Sequence, residues 1–157
     1  MKTSDLMETC VQTCNPKTNL QVVAMQMWDN NCGSIVIIDE AGIPVGIITD
    51  RDIAMGAALN SKPLWEIMTE QVTNHRGVFT CGVDDDAQTA LDIMEAKKIR
   101  RLPVVDETGQ LKGVLSIDKL IRAAKPKGIR KSELSFDKVI ASLQGICGSS
   151  LQGTDAA

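Results

Sequence analysis

The chain has 157 residues, of which 43% are hydrophobic and 24% charged, with a formal net charge of -3. That composition describes an ordinary soluble globular protein of one domain or two small ones, and excludes collagen-like, mucin-like and fully disordered classes. With 17 Lys and Arg against 20 Asp and Glu, and only Trp28, Trp65, Phe79 and Phe136 as aromatic platforms, the sequence lacks the positive field and the stacking surface of a nucleic-acid binder.

No apolar run approaches the ~18 residues of a membrane span, and Met1-Lys2-Thr3-Ser4-Asp5 leads into no apolar signal segment. The expectation is a cytoplasmic protein with no membrane partner. The five cysteines, at 10, 14, 32, 81 and 147, are odd in number and irregularly spaced, which suits free thiols. Zinc is not expected, because Cys10 and Cys14 would need further ligands and His75, in an expected loop, is the only histidine.

In chain order, a short strand is predicted over residues 11–14. A helix follows, with Leu20, Val23, Ala24, Met27 and Trp28 on one face at steps of three and four. Thr18 with Gln21 marks its start in the manner of a capping box. The apolar run 34–38, an Asp39-Glu40-x-Gly42 turn and a second run ending at Thr49 read as a hairpin, and a helix over 50–59 closes the series. Asn60-Ser61-Lys62-Pro63 is a link, with Pro63 opening a helix that holds Leu64, Trp65, Ile67 and Met68.

The same series then recurs: a strand over 78–81, a helix face of Ala87, Ala90, Leu91 and Met94 started by Asp85 with Gln88, a hairpin from 102 to 116, and a helix over 117–124. Residues 13–53 lie over 80–120 without a gap, with eight identities, among them Asp39/Asp106, Gly42/Gly109 and Gly46/Gly113. The fold class is therefore α/β of the α+β type: two pseudo-symmetric β-α-β-β-α repeats, 1–60 and 61–124, expected to pack sheet to sheet as one module. Residues 125–157 are expected to form a basic linker from Lys125 to Lys131, an amphipathic helix with a Phe136, Val139, Ile140 and Leu143 stripe packed on its own body, and a frayed tail from Gly145.

Over residues 4–124 the sequence resembles a tandem pair of cystathionine beta-synthase (CBS) domains, the unit called a Bateman module. The resemblance rests on Gly46-Ile47-Ile48-Thr49-Asp50-Arg51-Asp52-Ile53, on Ile99-Arg100-Arg101-Leu102-Pro103-Val104-Val105-Asp106, and on Ile67-Met68-Thr69. It implies a non-catalytic regulatory module, here a free-standing one, that pairs with a second copy as a homodimer. Its clefts would bind an adenosine-containing ligand such as AMP, ADP, ATP or S-adenosylmethionine, with no cofactor required. The protein partner that would read the signal is not visible in the sequence.

By that resemblance Thr49 lies near ribose or phosphate and Asp52 against the ribose diol. Thr49 with Asp52 is equally a helix-capping pattern, and both roles can hold. Arg100 and Arg101, before Leu102-Pro103, would reach phosphate and face the cleft containing Asp52. Solvated side chains pairing with Asp84 to Asp86 are the alternative. Backbone around Phe79, Thr80 and Cys81 would supply the adenine wall.

A second, weaker cleft would draw on Thr13, Cys14, Gly33, Ser34, Ser116, Asp118 and Lys119. There Lys119 stands where the first copy has its acid, and Gly33 and Ser34 stand where the second copy has its arginines. The competing classes are an enzyme, for which no nucleophile-and-base set is visible, and a ligand-free dimerisation or interaction scaffold.

Overall fold

The computed structural model describes residues 1–73, 77–126 and 134–148, so His75, most of the basic linker and the tail beyond Gly148 lie outside the described residues. The first set of elements is β1 (Thr13–Cys14), α1 (Leu20–Asp29), β2 (Ser34–Ile38), β3 (Pro44–Thr49) and α2 (Asp50–Asn60), followed by the one-turn α3 (Thr69–Val72). The second set is β4 (Cys81–Gly82), α4 (Ala87–Lys97), β5 (Arg101–Val105), β6 (Leu111–Ser116) and α5 (Ile117–Ala123), followed by α6 (Phe136–Gly148). Two three-stranded sheets result, ordered β1-β2-β3 and β4-β5-β6. The outer strands β1 and β4 run parallel to β2 and β5, and the β2–β3 hairpin is antiparallel.

The repeated Asp-Glu-x-Gly turns have a local cause. Asp39 Oδ1 accepts the amides of Ala41 and Ile43 at 2.9 Å each, and Gly42 and Gly109 adopt φ of 79° and 82°, where a Cβ would be strained.

Contacts divide the described chain into two compact units. The β1 unit comprises 10–73, 77–78 and 107–111, and the β4 unit comprises 1–9, 79–106, 112–126 and 134–148. Each has its own core. Leu20, Val23, Met27, Ile35, Ile48 and Ile67 are buried in the first, and Leu91, Met94, Leu102, Leu115, Leu120 and Val139 in the second.

The packing boundary differs from the repeat boundary at residue 60. In the β4 unit, Thr3 is buried, with its amide on the Asp85 carbonyl at 2.9 Å and its hydroxyl on the Gly82 carbonyl at 2.5 Å. Glu8 and Val114 exchange backbone bonds of 2.9 Å along β6. In the β1 unit, Thr69 plays the part of Thr3, its hydroxyl donating to the Thr18 carbonyl at 2.5 Å.

That anchoring corrects one expectation. The helix predicted after Pro63 is broken into a 3-10 turn, Leu64–Glu66, an extended Ile67 and then α3. The Ile67 carbonyl accepts the Leu20 amide and the Thr69 amide donates to Thr18, both at 2.9 Å, so these groups are unavailable to a continuous helix.

Two helix starts shift by one residue. Asn19, not Thr18, caps α1 by accepting the Val22 amide at 3.0 Å, and Asp86, not Asp85, caps α4 by accepting the Gln88 amide at 2.9 Å. Thr18 and Asp85 instead accept the amides of Asn15 and Gly82 in the preceding turns. Trp28 is 86% exposed rather than in the core, because Leu20, Val23 and Met27 already fill the buried face of α1.

The expected packing of the C-terminal helix on its own body is observed: α6 lies against α4 and α5. Its buried stripe is Val139, Ser142 and Ile146, with Leu143 partly covered, whereas Phe136 and Ile140 face outward. The helix also runs through Gly145 to Gly148, where a frayed tail was expected. Ser142 donates to Glu95 Oε2 at 2.6 Å, which satisfies the one polar position in the stripe.

Candidate functional site

The β3–α2 junction is built by chain geometry at one end of the first sheet. Thr49 ends β3 in extended conformation and caps α2: its hydroxyl oxygen accepts the Asp52 amide at 3.2 Å. Asp52 Oδ2 in return accepts the Thr49 amide at 2.8 Å and the Thr49 hydroxyl at 2.7 Å. The capping role anticipated for this pair is therefore real. It also fixes the carboxylate, and these bonds leave Oδ1 uninvolved.

Ser34 lies directly across the β2–β3 ladder from Thr49, and the Gly33 carbonyl accepts the Asp50 amide at 3.2 Å. Gly33, Ser34, Thr49 and Asp52 thus meet at one sheet end. Thr13 and Cys14 pair with Val36 and Ile37, further along the same sheet. Cys14 is buried, and burial pushes its thiol up to about 11 against a hydrogen bond with Thr69 that lowers it.

A pocket of about 440 Å³ opens beside this end, lined by Ala24, Met27, Trp28, Cys32, Gly33 and Asp50 among others. Sequence reasoning reached only Gly33 of these. The available signal was Asn30-Asn31 after an apolar helix, since Asn31 adopts φ 48° and ends α1 so that the next residues turn back toward Asp50.

In the β4 unit, Ser116 caps α5 through the Lys119 amide at 3.4 Å. No acid closes the box. Asp118 is exposed in the first turn, and Lys119 Nζ pairs with Glu8 at 3.0 Å. The Ile117 amide donates to the Arg100 carbonyl at 2.9 Å, bringing Arg100 and Arg101 to the Ser116 end of this sheet.

Arg101 is exposed at the start of β5, and Pro103 is buried within that strand. Arg100 is also exposed, but its Nη2 donates to Cys147 Sγ on α6 at 3.2 Å. The alternative acidic partners are engaged elsewhere: Asp84 with Lys2 Nζ at 2.6 Å, Asp85 with the Gly82 amide at 2.7 Å, and Asp86 as the α4 cap.

Phe79 precedes β4 with the Lys97 ammonium 4.6 Å from its ring centre, and Thr80 is half-buried beside it. Cys81 is buried in β4 opposite Val104. Burial first, and then the Asp85 carboxylate, push its thiol up to about 12. Among the described residues no group of three or more His, Cys, Asp or Glu could hold a metal ion, and no helix is long and apolar enough to cross a membrane.

Comparison with known proteins gives a consistent picture. The family model for the CBS domain matches residues 4–57 and again 65–126. An uncharacterized 17.7 kDa protein of Acidianus ambivalens is 36% identical over 124 residues, covering 78% of this chain and 72% of its own length. The CBS domain protein PAE2072 from Pyrobaculum aerophilum, solved in complex with AMP, is 26% identical with a TM-score of 0.68, covering 76% of this chain and 90% of that one. The CBS domain pair of protein MJ0100, solved with 5-methylthioadenosine and S-adenosyl-L-methionine, is 25% identical with a TM-score of 0.68, covering 78% and 94%.

Proposed function

The chain belongs to the CBS domain family, carrying two tandem copies, and on that premise we propose that it is a regulatory module that binds an adenosine-containing ligand and signals nucleotide status to a protein partner. In this reading it performs no chemistry of its own and acts in the cytoplasm. The ligands of PAE2072 and MJ0100 support the adenosine class.

The observation that carries the reading is the Thr49–Asp52 box. A carboxylate whose Oδ2 is already held by Thr49 presents Oδ1 as a fixed acceptor for two ribose hydroxyls, with little ordering left to be done on binding. In the β4 unit, the exposed Arg101 fork suits phosphate oxygens. The Ser116 and Lys119 copy is the weaker site, because Lys119 replaces the acid and Glu8 neutralises it.

The test is thermal melting against AMP, ADP, ATP, NAD and S-adenosylmethionine. A ligand at about 100 times its Kd adds roughly 2.7 kcal/mol of stability, a readily measured rise in Tm. Asp52→Ala and Arg101→Ala should each abolish the shift for the preferred nucleotide. If none of the five moves the melt, the ligand-free interaction scaffold replaces this reading.

A homodimer is part of the proposal. Met25, Trp28, Met55 and Leu59 place large apolar groups on the exposed faces of α1 and α2, a surface that a second copy would cover. Sedimentation should give twice the chain mass, and Trp28→Glu with Leu59→Glu should halve it.

A further inference from the structure

We propose that α6 is a latch on a phosphate-reading arginine: Cys147 near the helix end holds Arg100, and an anionic ligand that takes the Arg100 side chain releases that contact. The inference rests on the adenosine-binding reading above and adds to it the element that carries the signal outward.

Two contacts tie the last turn of α6 to the α4–β5 turn. Arg100 Nη2 donates to Cys147 Sγ at 3.2 Å, and Lys98 Nζ donates to the Gly145 carbonyl at 2.6 Å. Both cations thus sit at the carbonyl end of a 13-residue helix, where the macrodipole favours positive charge. The helix is fastened independently, by Val139 and Ile146 in the core and by the Ser142–Glu95 bond. Release therefore frees the Cys147 side chain without undocking the helix.

The exchange is favourable in direction. A neutral thiol is a weak acceptor, whereas a phosphate offers the guanidinium a charge-assisted, bidentate partner. Removing Arg100 from Cys147 also removes one of the two cations at the helix terminus. Ligand binding and attachment of the α6 end are then mutually exclusive uses of one side chain, which is a reciprocal coupling.

The experiment measures AMP and S-adenosylmethionine affinity by calorimetry on the full chain and its variants, together with the alkylation rate of Cys147 followed by peptide mass spectrometry. Cys147→Ala is expected to tighten AMP by roughly 2- to 10-fold, the worth of one released hydrogen bond. It should leave S-adenosylmethionine, which has no phosphate, unchanged. Saturating AMP should accelerate Cys147 alkylation in the native chain but not in Arg100→Ala, and Cys147→Ala should have no effect on AMP affinity in the Arg100→Ala background.

AMP that binds with neither a Cys147→Ala effect nor a change in alkylation overturns the latch and leaves the binding reading standing. Full AMP affinity in Arg100→Ala overturns the latch by removing Arg100 from the site. No binding of either compound, with the native melt intact, removes both readings together.

Discussion

Asp52 Oδ2 is shared between the amide and the hydroxyl of Thr49, at 2.8 and 2.7 Å, while the Thr49 hydroxyl oxygen receives the Asp52 amide at 3.2 Å. The two residues satisfy each other and the first turn of α2, so the same pair serves folding and, in the proposed function, recognition. Asp52→Ala should therefore lower stability by about 1 kcal/mol as well as abolish the ligand shift. Thr49→Ala should cost a similar amount. Because both act through one box, the double variant should cost clearly less than the sum in urea unfolding.

Gly46 and Gly113 occupy matching positions in the two repeats but for different reasons. A Cβ on Gly113 would meet the Glu8 carbonyl oxygen at 2.6 Å and Met7 Sδ at 2.8 Å, whereas one on Gly46 would meet only the end of the Ile37 side chain at 3.2 Å. Gly113→Ala should cost about 1–3 kcal/mol by forcing the N-terminal segment off β6. Gly46→Ala should cost distinctly less, and deleting residues 1–9 should remove the penalty at Gly113.

Ile146 and Ile140 separate the two faces of α6. Ile146 is 5% exposed and Ile140 48%. Ile146→Ala should destabilise by about 2–5 kcal/mol, and Ile140→Ala should stay within about 0.5 kcal/mol, both read by chemical denaturation. Equal effects would contradict the observed rotation of the stripe.

The buried thiols make stability pH-dependent on the alkaline side. Cys14 and Cys81 are held at about 11 and about 12, above the ordinary thiol value of 9.0, so the folded state keeps protons that the unfolded chain releases. The stabilisation is fully present below pH ~9 and falls as pH rises toward the folded values, by at most about 1.4 kcal/mol per pH unit for each thiol. Denaturant midpoints at a series of pH values should show this decline, with a shallower slope in Cys81→Ala. At neutral pH, exposed Cys10 should react with a thiol reagent much faster than either buried cysteine.

The repeat was legible in the residues because its marks are local. Helical spacing at Ala87, Ala90, Leu91 and Met94, β-branched runs at 34–38, and the Asp39 and Gly42 turn all follow from backbone periodicity and φ preference, which act within a few residues. The Thr49 and Asp52 box was readable for the same reason. Trp28 was not, since whether an apolar side chain at the edge of a helix face is buried depends on what packs over it.

Sequence by itself determined the two β-α-β-β-α sets and the Thr49–Asp52 box, because short-range hydrogen bonding and burial period specify them. Only tertiary structure decided that residues 1–9 pack with the β4 unit, that Ile67 breaks the helix after Pro63, that Lys119 is neutralised by Glu8, and that α6 reaches Arg100 and Lys98. Those are pairings between residues tens of positions apart. No local pattern encodes them, because their free energy arises only when the folded chain removes both partners from water and places them within hydrogen-bond distance.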